Sequence, residues 1–447
     1  MTAQFKTYDE TLDYLFKFTN YENFVNFPYD ASKLNLARMR GLLEFLGNPH
    51  LAPTSVHITG TKGKGSTAMM LGAIAQKCGR RAGLYTSPHL VNIEERITVD
   101  GRMIPRKDLV EQMNILFPYL EMQKKETEQY ATPTFFEIFT AIAWNYFRAR
   151  GVDLAIMEVG LGGRLDSTNI IAPAVCIITN VSMDHTRQLG GTVASIAREK
   201  AGIIKPGVPV VTASQDADAL SVFEEECREK SGELYRIDRE FSVEKGSGRE
   251  FHVVFGEKRF GPFILNVIGK HQRHNAACAI VAAELLRRAG RIDFAEDTLA
   301  RALASLEIPA RVEIVREKPI IINDGAHNAA SIRCTLEAIR EEAAPDSLTI
   351  VFAANRDKDI PGMIREIVNM AEGLHLRRVV LTTTGGARSC PPEELRDAFG
   401  TDVGFMTEVC GNVEEAWRSA QGGGFGTAVC FTGSMYLAGK VTKLSEK

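Results

Sequence analysis

Residues 60–66 read Gly60-Thr61-Lys62-Gly63-Lys64-Gly65-Ser66, between the apolar run Val56-His57-Ile58 and a helical pattern from Thr67 to about Cys78. This order predicts a strand, a glycine-rich turn and a helix. The N–H groups of such a turn and of a helix start bind phosphate oxygens, and Lys64 adds a positive charge. The segment departs from the pattern G-x-x-x-x-G-K-S/T, because Ile58 replaces the first glycine and Gly65 separates Lys64 from Ser66. It still indicates a nucleoside triphosphate site, and the alternative is a structural turn with incidental lysines.

Length and composition favour a protein of two domains that acts on small polar ligands. At roughly 150 residues per domain, the 447 residues correspond to two or three domains, of which we expect two. The formal charge of −3 offers no basic field for nucleic acid. We find neither a leader pattern nor a run of about 18 apolar residues, so we expect a soluble, cytoplasmic protein without a membrane partner. The 8 cysteines include no C-x-x-C pair, which argues against a zinc or thioredoxin-type site.

Three polar side chains lie at the ends of other predicted strands. Ser87 follows the strand pattern 82–85, Glu158 lies near the end of the apolar run 153–159, and His185 follows the apolar run 174–179. Because the carboxyl ends of parallel strands meet at one edge of a sheet, these donors suggest a Mg²⁺ site beside the phosphates. The simpler alternatives are a core glutamate paired with an arginine and a hydrogen-bonded histidine in a turn.

Several further candidates have a simple structural explanation as well. Thr134 is placed to cap a helix, with Glu137 at the capping-box distance. Lys200 lies near the end of a helix and is able to complement its dipole, and Asn275 is able to cap the helix that follows it. From about Leu306 a second series of strand and helix patterns begins, so we expect a separate α/β domain.

Seven stretches of the chain together carry a family resemblance. They are residues 57–66, 86–90, 158–169, 184–185, 199–203, 271–276 and the segment Asp324-Gly325-Ala326-His327-Asn328. In order and spacing they resemble the folylpolyglutamate synthase and dihydrofolate synthase family of the Mur-ligase superfamily. The resemblance covers most of the chain and implies an α/β fold. Residues 1–306 would form a P-loop-type ATPase domain with a mostly parallel sheet flanked by helices, and residues 307–447 a smaller Rossmann-like α/β domain.

The resemblance implies an ATP-dependent ligase that forms amide bonds through an acyl phosphate. Its substrates would be L-glutamate with dihydropteroate or with the γ-carboxylate of reduced folates, so we expect a bifunctional dihydrofolate synthase and folylpolyglutamate synthase. An enzyme that only extends polyglutamate is the closest alternative. The expected cofactors are ATP and Mg²⁺, with Lys200 carbamylated by CO₂, and the expected assembly is a monomer.

The resemblance also implies roles for individual residues. Lys64, Lys200 and His327 would be catalytic, and Ser87, Glu158 and His185 would bind Mg²⁺. The nucleotide would contact Gly60, Gly63, Lys64, Gly65, Ser66, Asn275, Arg311 and Asp324. The pterin substrate would contact Thr134, Phe135, Phe136, Glu137, Leu165, Asp166 and Ser167, although two adjacent phenylalanines are often core residues.

Two positions depart from the family's common pattern. Lys62 stands where asparagine is common, which adds a charge near the phosphates. Ala310 stands where the family usually has the glycine of Pro-Gly-Arg, which reduces the conformational freedom of the linker beside Arg311.

Other classes of protein fit the sequence less well. In Gly160-Leu161-Gly162-Gly163 a dinucleotide fingerprint would need its third glycine where Leu165 stands. A nucleotide-binding switch protein of the GTPase type would need N-K-x-D, whereas residues 355–358 have these residue types in another order. A cell-wall Mur ligase carries a further domain before this glycine-rich turn, and we expect residues 1–59 to leave too little room for one. A binding module without catalysis would not explain Lys64, Glu158, His185 and Lys200 together.

Overall fold

The computed structural model describes residues 4–24, 29–30, 34–125, 132–386, 388–401, 403–421 and 427–445. The chain divides into two compact units. One consists of Met1–Phe263 with His274–Leu303, and the other of Ile264–Arg273 with Ala304–Lys447. The division into domains 1–306 and 307–447 stays a prediction, and the compact units add the segment Ile264–Arg273 to the second part of the chain.

The first unit contains an eight-stranded sheet and a smaller antiparallel sheet. The large sheet consists of Thr54–Thr59 (β1), Ala82–Tyr85 (β2), Ile97–Val99 (β3), Arg102–Met103 (β4), Leu154–Glu158 (β5), Val175–Ile178 (β6), Val210–Thr212 (β7) and Leu234–Arg236 (β8). Its strand order is β4-β3-β2-β5-β1-β6-β7-β8, and neighbouring strands are parallel except in the pairs β2–β3 and β3–β4. The small sheet consists of Phe241–Lys245 (β9), Phe251–Phe255 (β10) and Lys258–Phe263 (β11).

Helices cover the large sheet and bury its apolar residues. They are Tyr8–Leu15 (α1), Leu36–Phe45 (α2), Lys64–Lys77 (α3), Arg106–Gln123 (α4), Phe135–Ala149 (α5), Thr186–Leu189 (α6), Val193–Ala201 (α7) and Ala217–Glu229 (α8). Most of Lys270–Arg288 (α9) and of Glu296–Ala304 (α10) also belongs to the first unit. Helix α5 is buried along most of its length, because its sequence is apolar on nearly every face.

The order of the central strands gathers the loops that carry the candidate residues. Strand β1 lies between β5 and β6, and its Ile58 pairs with Glu158 on one side and Ile177 on the other. Strands β1, β5 and β6 are buried on both faces, as expected for near-continuous apolar runs in a parallel sheet. The loops after these strands therefore begin side by side, and the predicted shared edge is confirmed.

Helix α3 begins earlier than the sequence pattern predicts. The expected start was Thr67, whereas the helix starts at Lys64 with Gly63 as its N-cap. The prediction placed Gly65 in the turn because glycine disfavours helix interiors. Gly63 has φ +85°, a left-handed conformation that glycine adopts without strain, and the chain turns into the helix there.

The second unit contains a six-stranded sheet with helices. This confirms the predicted second series of strands and helices from about Leu306. Its strands are Glu313–Glu317 (β12), Ile320–Asn323 (β13), Leu348–Phe352 (β14), Leu376–Leu381 (β15), Met406–Val409 (β16) and Ala428–Thr432 (β17), and its helices are Ala329–Ala338 (α11), Ile360–Met370 (α12), Pro392–Phe399 (α13), Val413–Gln421 (α14) and Met435–Ser445 (α15). The order is β12-β13-β17-β14-β15-β16, with only β12 antiparallel. Strand β16 was not predicted, because an incompletely buried edge strand has no continuous apolar run. In the described part of the chain, no helix has the length and apolarity needed to cross a bilayer.

Candidate functional site

The glycine-rich loop after β1 forms a cradle at the start of α3. The first N–H groups of a helix have no partner within it, and Gly63 provides no side-chain cap. The Nζ atom of Lys64 lies 3.1 Å from the carbonyl oxygen of Gly60, to which it donates, so the ammonium is held over the loop. The hydroxyl of Ser66 is buried and has no hydrogen-bond partner among the described residues. Free donors around a positive charge are suited to phosphate oxygens.

Asn275 of α9 lies against the cradle. A Cβ atom on Gly63 would stand only 2.3 Å from Oδ1 of Asn275, and the Asn275 side chain is buried. The absence of a side chain at Gly63 therefore allows the amide to approach the turn, and the contact of Asn275 with a nucleotide stays a prediction.

Replacement of Gly63 by alanine is expected to weaken binding of ATP by at least about tenfold. The new methyl group displaces Asn275 and strains a left-handed residue by about 1–2 kcal/mol. Gly79→Ala is the matched control, because Gly79 has φ +74° and open space around the added Cβ. Titration calorimetry with a non-hydrolysable ATP analogue measures both variants. Equal affinity of Gly63→Ala and wild type would contradict the assignment of this turn.

Glu158 and Ser87 meet beside the cradle. The backbone N–H of Ser87 donates to Oε2 of Glu158 at 3.0 Å. The Glu158 carboxylate also approaches the start of α3, since its Oε2 lies 3.5 Å from the place of a Cβ on Gly65. Glu158 is buried at the end of β5. The described structure thus places this carboxylate beside the start of α3, and its binding of Mg²⁺ stays a prediction.

Lys200 and His185 line one cavity with Lys64. The cavity is lined by Thr59, Gly60, Thr61, Lys64, Val159, Gly160, Leu161, Gly162, Asp184, His185, Leu189 and Lys200. Burial lowers the pKa of the Lys200 ammonium well below its usual value, and the positive charges of Lys64 and Lys62 add to this effect, whereas Asp184 opposes it. Lys200 therefore lines the cavity with its charged form disfavoured by burial, which a lysine that merely complements a helix dipole at the surface would not show.

Asp166 organises the glycine loop that follows β5. Its Oδ2 accepts the N–H groups of Gly160 at 3.0 Å and Leu161 at 3.1 Å, and its Oδ1 accepts the N–H of Thr168 at 2.9 Å and its hydroxyl. Burial raises the pKa of Asp166, and these four hydrogen bonds oppose the shift. The described contacts of Asp166 thus hold a loop that lines the cavity.

The neighbours of Asp166 are also tied to the protein. The hydroxyl groups of Ser167 and Thr140 lie 2.8 Å apart, and the N–H of Leu165 lies 3.4 Å from the hydroxyl of Tyr29. Direct contact of Leu165, Asp166 and Ser167 with a substrate stays a prediction.

The start of α5 is fixed by two interactions of Glu137. Its carboxylate forms the capping box with Thr134, which confirms the sequence prediction, and a buried ion pair of 2.9 Å with Arg38. Phe135 is 1% exposed in the core, whereas Phe136 is half-buried and its ring fills the space where a Cβ on Gly160 would stand. Of the two rings, that of Phe136 borders the cavity-lining loop. The ring of Phe135 exposes almost no surface on which a substrate could stack.

In the second unit, the segment after β13 clamps the residues around Arg311. Asp324 accepts the N–H groups of Val312 at 2.9 Å and Ala326 at 3.0 Å, and the N–H of Gly325 donates to the carbonyl oxygen of Ala310 at 3.0 Å. The hydroxyl of Thr335 donates to the same carboxylate at 2.6 Å.

Two more predicted residues of this unit keep untested roles. The Nδ1 atom of His327 lies 2.8 Å from the carbonyl oxygen of Gly325, and an Nη1 atom of Arg311 lies 3.5 Å from the sulfur of Met435. The structure thus brings Arg311, Asp324 and His327 into one part of the second unit. Their contact with a nucleotide stays a prediction.

Comparison with known families identifies both parts of the chain. The Mur ligase middle domain matches residues 58–283, and the Mur ligase glutamate ligase domain matches residues 310–435. The dihydrofolate synthase/folylpolyglutamate synthase of Bacillus subtilis is 33% identical over 92% of this chain and 95% of its own length. This chain belongs to the folylpolyglutamate synthase and dihydrofolate synthase family of Mur ligases.

Solved structures of the family have the same fold along nearly the whole chain. The folylpolyglutamate synthase of Thermotoga maritima has a TM-score of 0.84 at 33% identity and covers 98% of this chain and 97% of its own. The structure of E. coli FolC in complex with DHPP and ADP has a TM-score of 0.82 at 27% identity, over 99% of this chain and 98% of its own. The predicted α/β architecture is thereby confirmed.

The family's expected Mg²⁺ fits the donors at the cradle. The described residues contain no group of three or more His, Cys, Asp or Glu side chains placed to hold a metal ion, so a site made by such side chains alone does not fit. Mg²⁺ is commonly held by one or two carboxylates together with waters and substrate phosphates. The buried carboxylate of Glu158 beside Ser87, at the edge of a phosphate cradle with the unpartnered hydroxyl of Ser66, suits that pattern.

Sequence reasoning missed the residues that hold the cradle in place. The N–H of Thr61 donates to the carbonyl oxygen of Asn180 at 2.8 Å, and the hydroxyl of Thr179 donates to the carbonyl oxygen of Lys62 at 2.6 Å. Thr179 and Asn180 directly follow β6. The strand end that indicated His185 could therefore have indicated these two residues as well. Ala310, the other departure from the family pattern, has φ +56°, where a glycine would be unstrained.

Proposed function

We propose that this chain is a bifunctional dihydrofolate synthase and folylpolyglutamate synthase. It uses ATP to join L-glutamate to dihydropteroate and to the γ-carboxylate of reduced folates, with release of ADP and phosphate. The observation that carries the proposal is the phosphate cradle of Lys64 and α3 beside the buried carboxylate of Glu158. The match to relatives of this name along most of the chain supports the choice of substrate class.

The first step forms an acyl phosphate. An oxygen of the substrate carboxylate attacks the γ-phosphorus of ATP, and ADP leaves. Gly60, Gly63, Gly65, Ser66 and Lys64 hold the β- and γ-phosphates, because N–H groups, a hydroxyl and an ammonium stabilise the charge that develops on the oxygens. Ser87, Glu158 and His185 would bind Mg²⁺, which neutralises phosphate charge when it is bound.

The second step forms the amide bond. The amino group of L-glutamate attacks the acyl carbon and loses a proton, and phosphate leaves. Exclusion of water from the site protects the acyl phosphate from hydrolysis. The amine of Lys200, whose pKa is lowered by burial, reacts with CO₂ and releases a proton to give a carbamate. This group places a negative charge in the cavity, where it orients the acyl phosphate or a cation.

The remaining assignments belong to the same proposal. Asn275, Arg311 and Asp324 contact the nucleotide, and His327 acts beside them. The pterin lies along the loop that Asp166 organises, which lines the cavity, and along the half-buried ring of Phe136, which borders this loop. That the protein works as a cytoplasmic monomer on small molecules stays a prediction.

A substrate panel tests the proposal. The purified chain, with ATP, Mg²⁺ and L-glutamate, is given either dihydropteroate or tetrahydrofolate, and phosphate release and the glutamylated product are measured. We expect both substrates to yield one phosphate per amide bond, with no release when glutamate is omitted. Product from tetrahydrofolate alone would establish the polyglutamate-only alternative, and product from neither would contradict the folate assignment.

A further inference from the structure

Lys62 makes an ion pair within the cradle that the family's common asparagine is unable to make. Its Nζ atom lies 3.1 Å from Oδ2 of Asp184, and the two side chains are 32% and 25% exposed. Asp184 lines the cavity together with His185. The ammonium group that Lys62 adds is thus paired with the loop after β6.

The backbone of Lys62 is fixed before the ion pair forms. Its N–H donates to Oδ1 of Asn180 at 3.0 Å, and its carbonyl oxygen accepts the hydroxyl of Thr179 at 2.6 Å. The adjacent Thr61 exchanges hydrogen bonds with Ser182, as its hydroxyl donates at 3.2 Å and accepts at 3.1 Å. Because these bonds hold the two loops together, the ammonium starts from a rigid base and loses less entropy on pairing.

Asp184 in turn holds the residue proposed to bind the metal. Its Oδ1 accepts the backbone N–H of His185 at 2.9 Å. His185 has φ +49° and precedes the four-residue helix α6. A residue other than glycine in this conformation is strained and persists only where its surroundings hold it. The hydrogen bond from His185 to Asp184 and the ion pair of Asp184 with Lys62 hold His185 in this conformation from the side of the cradle.

We infer that Lys62 is a positioning residue, whose ammonium holds Asp184 and through it His185 at the phosphate cradle. The inference rests on the proposed function, because it is the proposed function that assigns His185 to the metal ion. The competing explanation is that Lys62 and Asp184 form a simple surface ion pair. Loss of such a pair would leave the backbone conformation of His185 unchanged.

The first test observes His185 directly in the full-length protein without ligands. The 9 histidines are labelled with ¹⁵N, and Lys62→Met is compared with wild type by NMR after assignment with His185→Gln. We expect Lys62→Met to shift or broaden the His185 backbone amide, Lys62→Arg to restore it, and Lys77→Met, at the far end of α3, to leave it unchanged. An unchanged His185 resonance in Lys62→Met would overturn the inference.

The second test measures Mg²⁺-dependent binding of a non-hydrolysable ATP analogue by calorimetry. We expect Lys62→Met and Asp184→Asn each to weaken binding about two- to fivefold, as for a partly exposed ion pair. The double variant is expected to lose no more than either single variant, because both changes break one interaction. Additive losses, or none, would overturn the inference.

The two proposals fail in distinguishable ways. Should the wild type bind no nucleotide, the proposed function fails while the NMR comparison still decides the role of Lys62. Should Lys64→Met lose binding while Lys62→Met matches wild type in both tests, the proposed function stands and the inference about Lys62 is wrong.

Discussion

Lys64→Met is expected to lower kcat/KM for ATP by about 10²–10³-fold, with the fold preserved. The ammonium of Lys64 is held 3.1 Å from the Gly60 carbonyl oxygen, over the cradle where the γ-phosphate is proposed to lie. Its removal leaves the charge that develops during phosphoryl transfer without this cation. The Lys64 side chain is only half-buried, so urea unfolding is expected to match wild type.

The same helix provides the control for this experiment. Lys77 lies in the last turn of α3 and is exposed, so Lys77→Met removes the same charge from the far end of the helix. Steady-state phosphate release with dihydropteroate measures both variants. Near-normal turnover of Lys64→Met, or an equal loss in Lys77→Met, would remove the cradle lysine from the mechanism.

Lys200→Met is expected to reduce turnover by at least about 100-fold and yet to leave ATP binding within about twofold of wild type. Lys200 lines the cavity beside Lys64 but is not part of the glycine turn. Lys205→Met is the matched control, since burial also lowers the pKa of Lys205, whose Nζ donates to the Asn169 carbonyl oxygen. Retained turnover in Lys200→Met would refute the catalytic assignment.

In buffer depleted of CO₂, where Lys200 carries no carbamate, the stability of the same variant is expected to change in the opposite direction to its turnover. Because burial lowers the pKa of Lys200 in the folded state, the unfolded chain binds the proton more readily. The free energy of unfolding of the wild type should therefore rise with pH through the interval below 10.5, the ordinary lysine value. Lys200→Met lacks this cost and is expected to be about 0.5–2 kcal/mol more stable at neutral pH, with the difference vanishing towards high pH.

Carbamylation gives the wild type a further signature. In buffer depleted of CO₂, turnover is expected to fall and to recover on addition of bicarbonate. Lys200→Ala is expected to regain part of its activity with small carboxylic acids, which replace the missing negative charge. Mass spectrometry of an active protein with an unmodified Lys200, under conditions that preserve carbamates, would contradict the role.

The sequence predicted those parts of the fold that follow from local patterns. Continuous apolar runs indicated β5 and β6, and Thr134 with Glu137 indicated the start of α5, because a capping box is encoded within four residues. The place of Glu158 followed from the rule that polar residues at strand ends meet at one edge of a parallel sheet.

Other features depend on contacts between distant segments and left no local signal. The start of α3 at Lys64 depends on the left-handed Gly63 against Asn275, which lies in another helix. Phe135 and Phe136 are adjacent and chemically identical, yet packing buries the first and leaves the second beside the glycine loop. The sequence also did not indicate that Lys200 is buried, since a lysine near a helix end is ordinarily exposed.

A crystal structure of the protein with a non-hydrolysable ATP analogue and Mg²⁺ tests the central claim most directly. We predict the β- and γ-phosphates at the start of α3, in contact with Lys64 and Ser66, and a metal ion between the γ-phosphate and Glu158. A nucleotide bound away from α3, with Glu158 and Lys64 unchanged beside an empty cradle, would contradict the account.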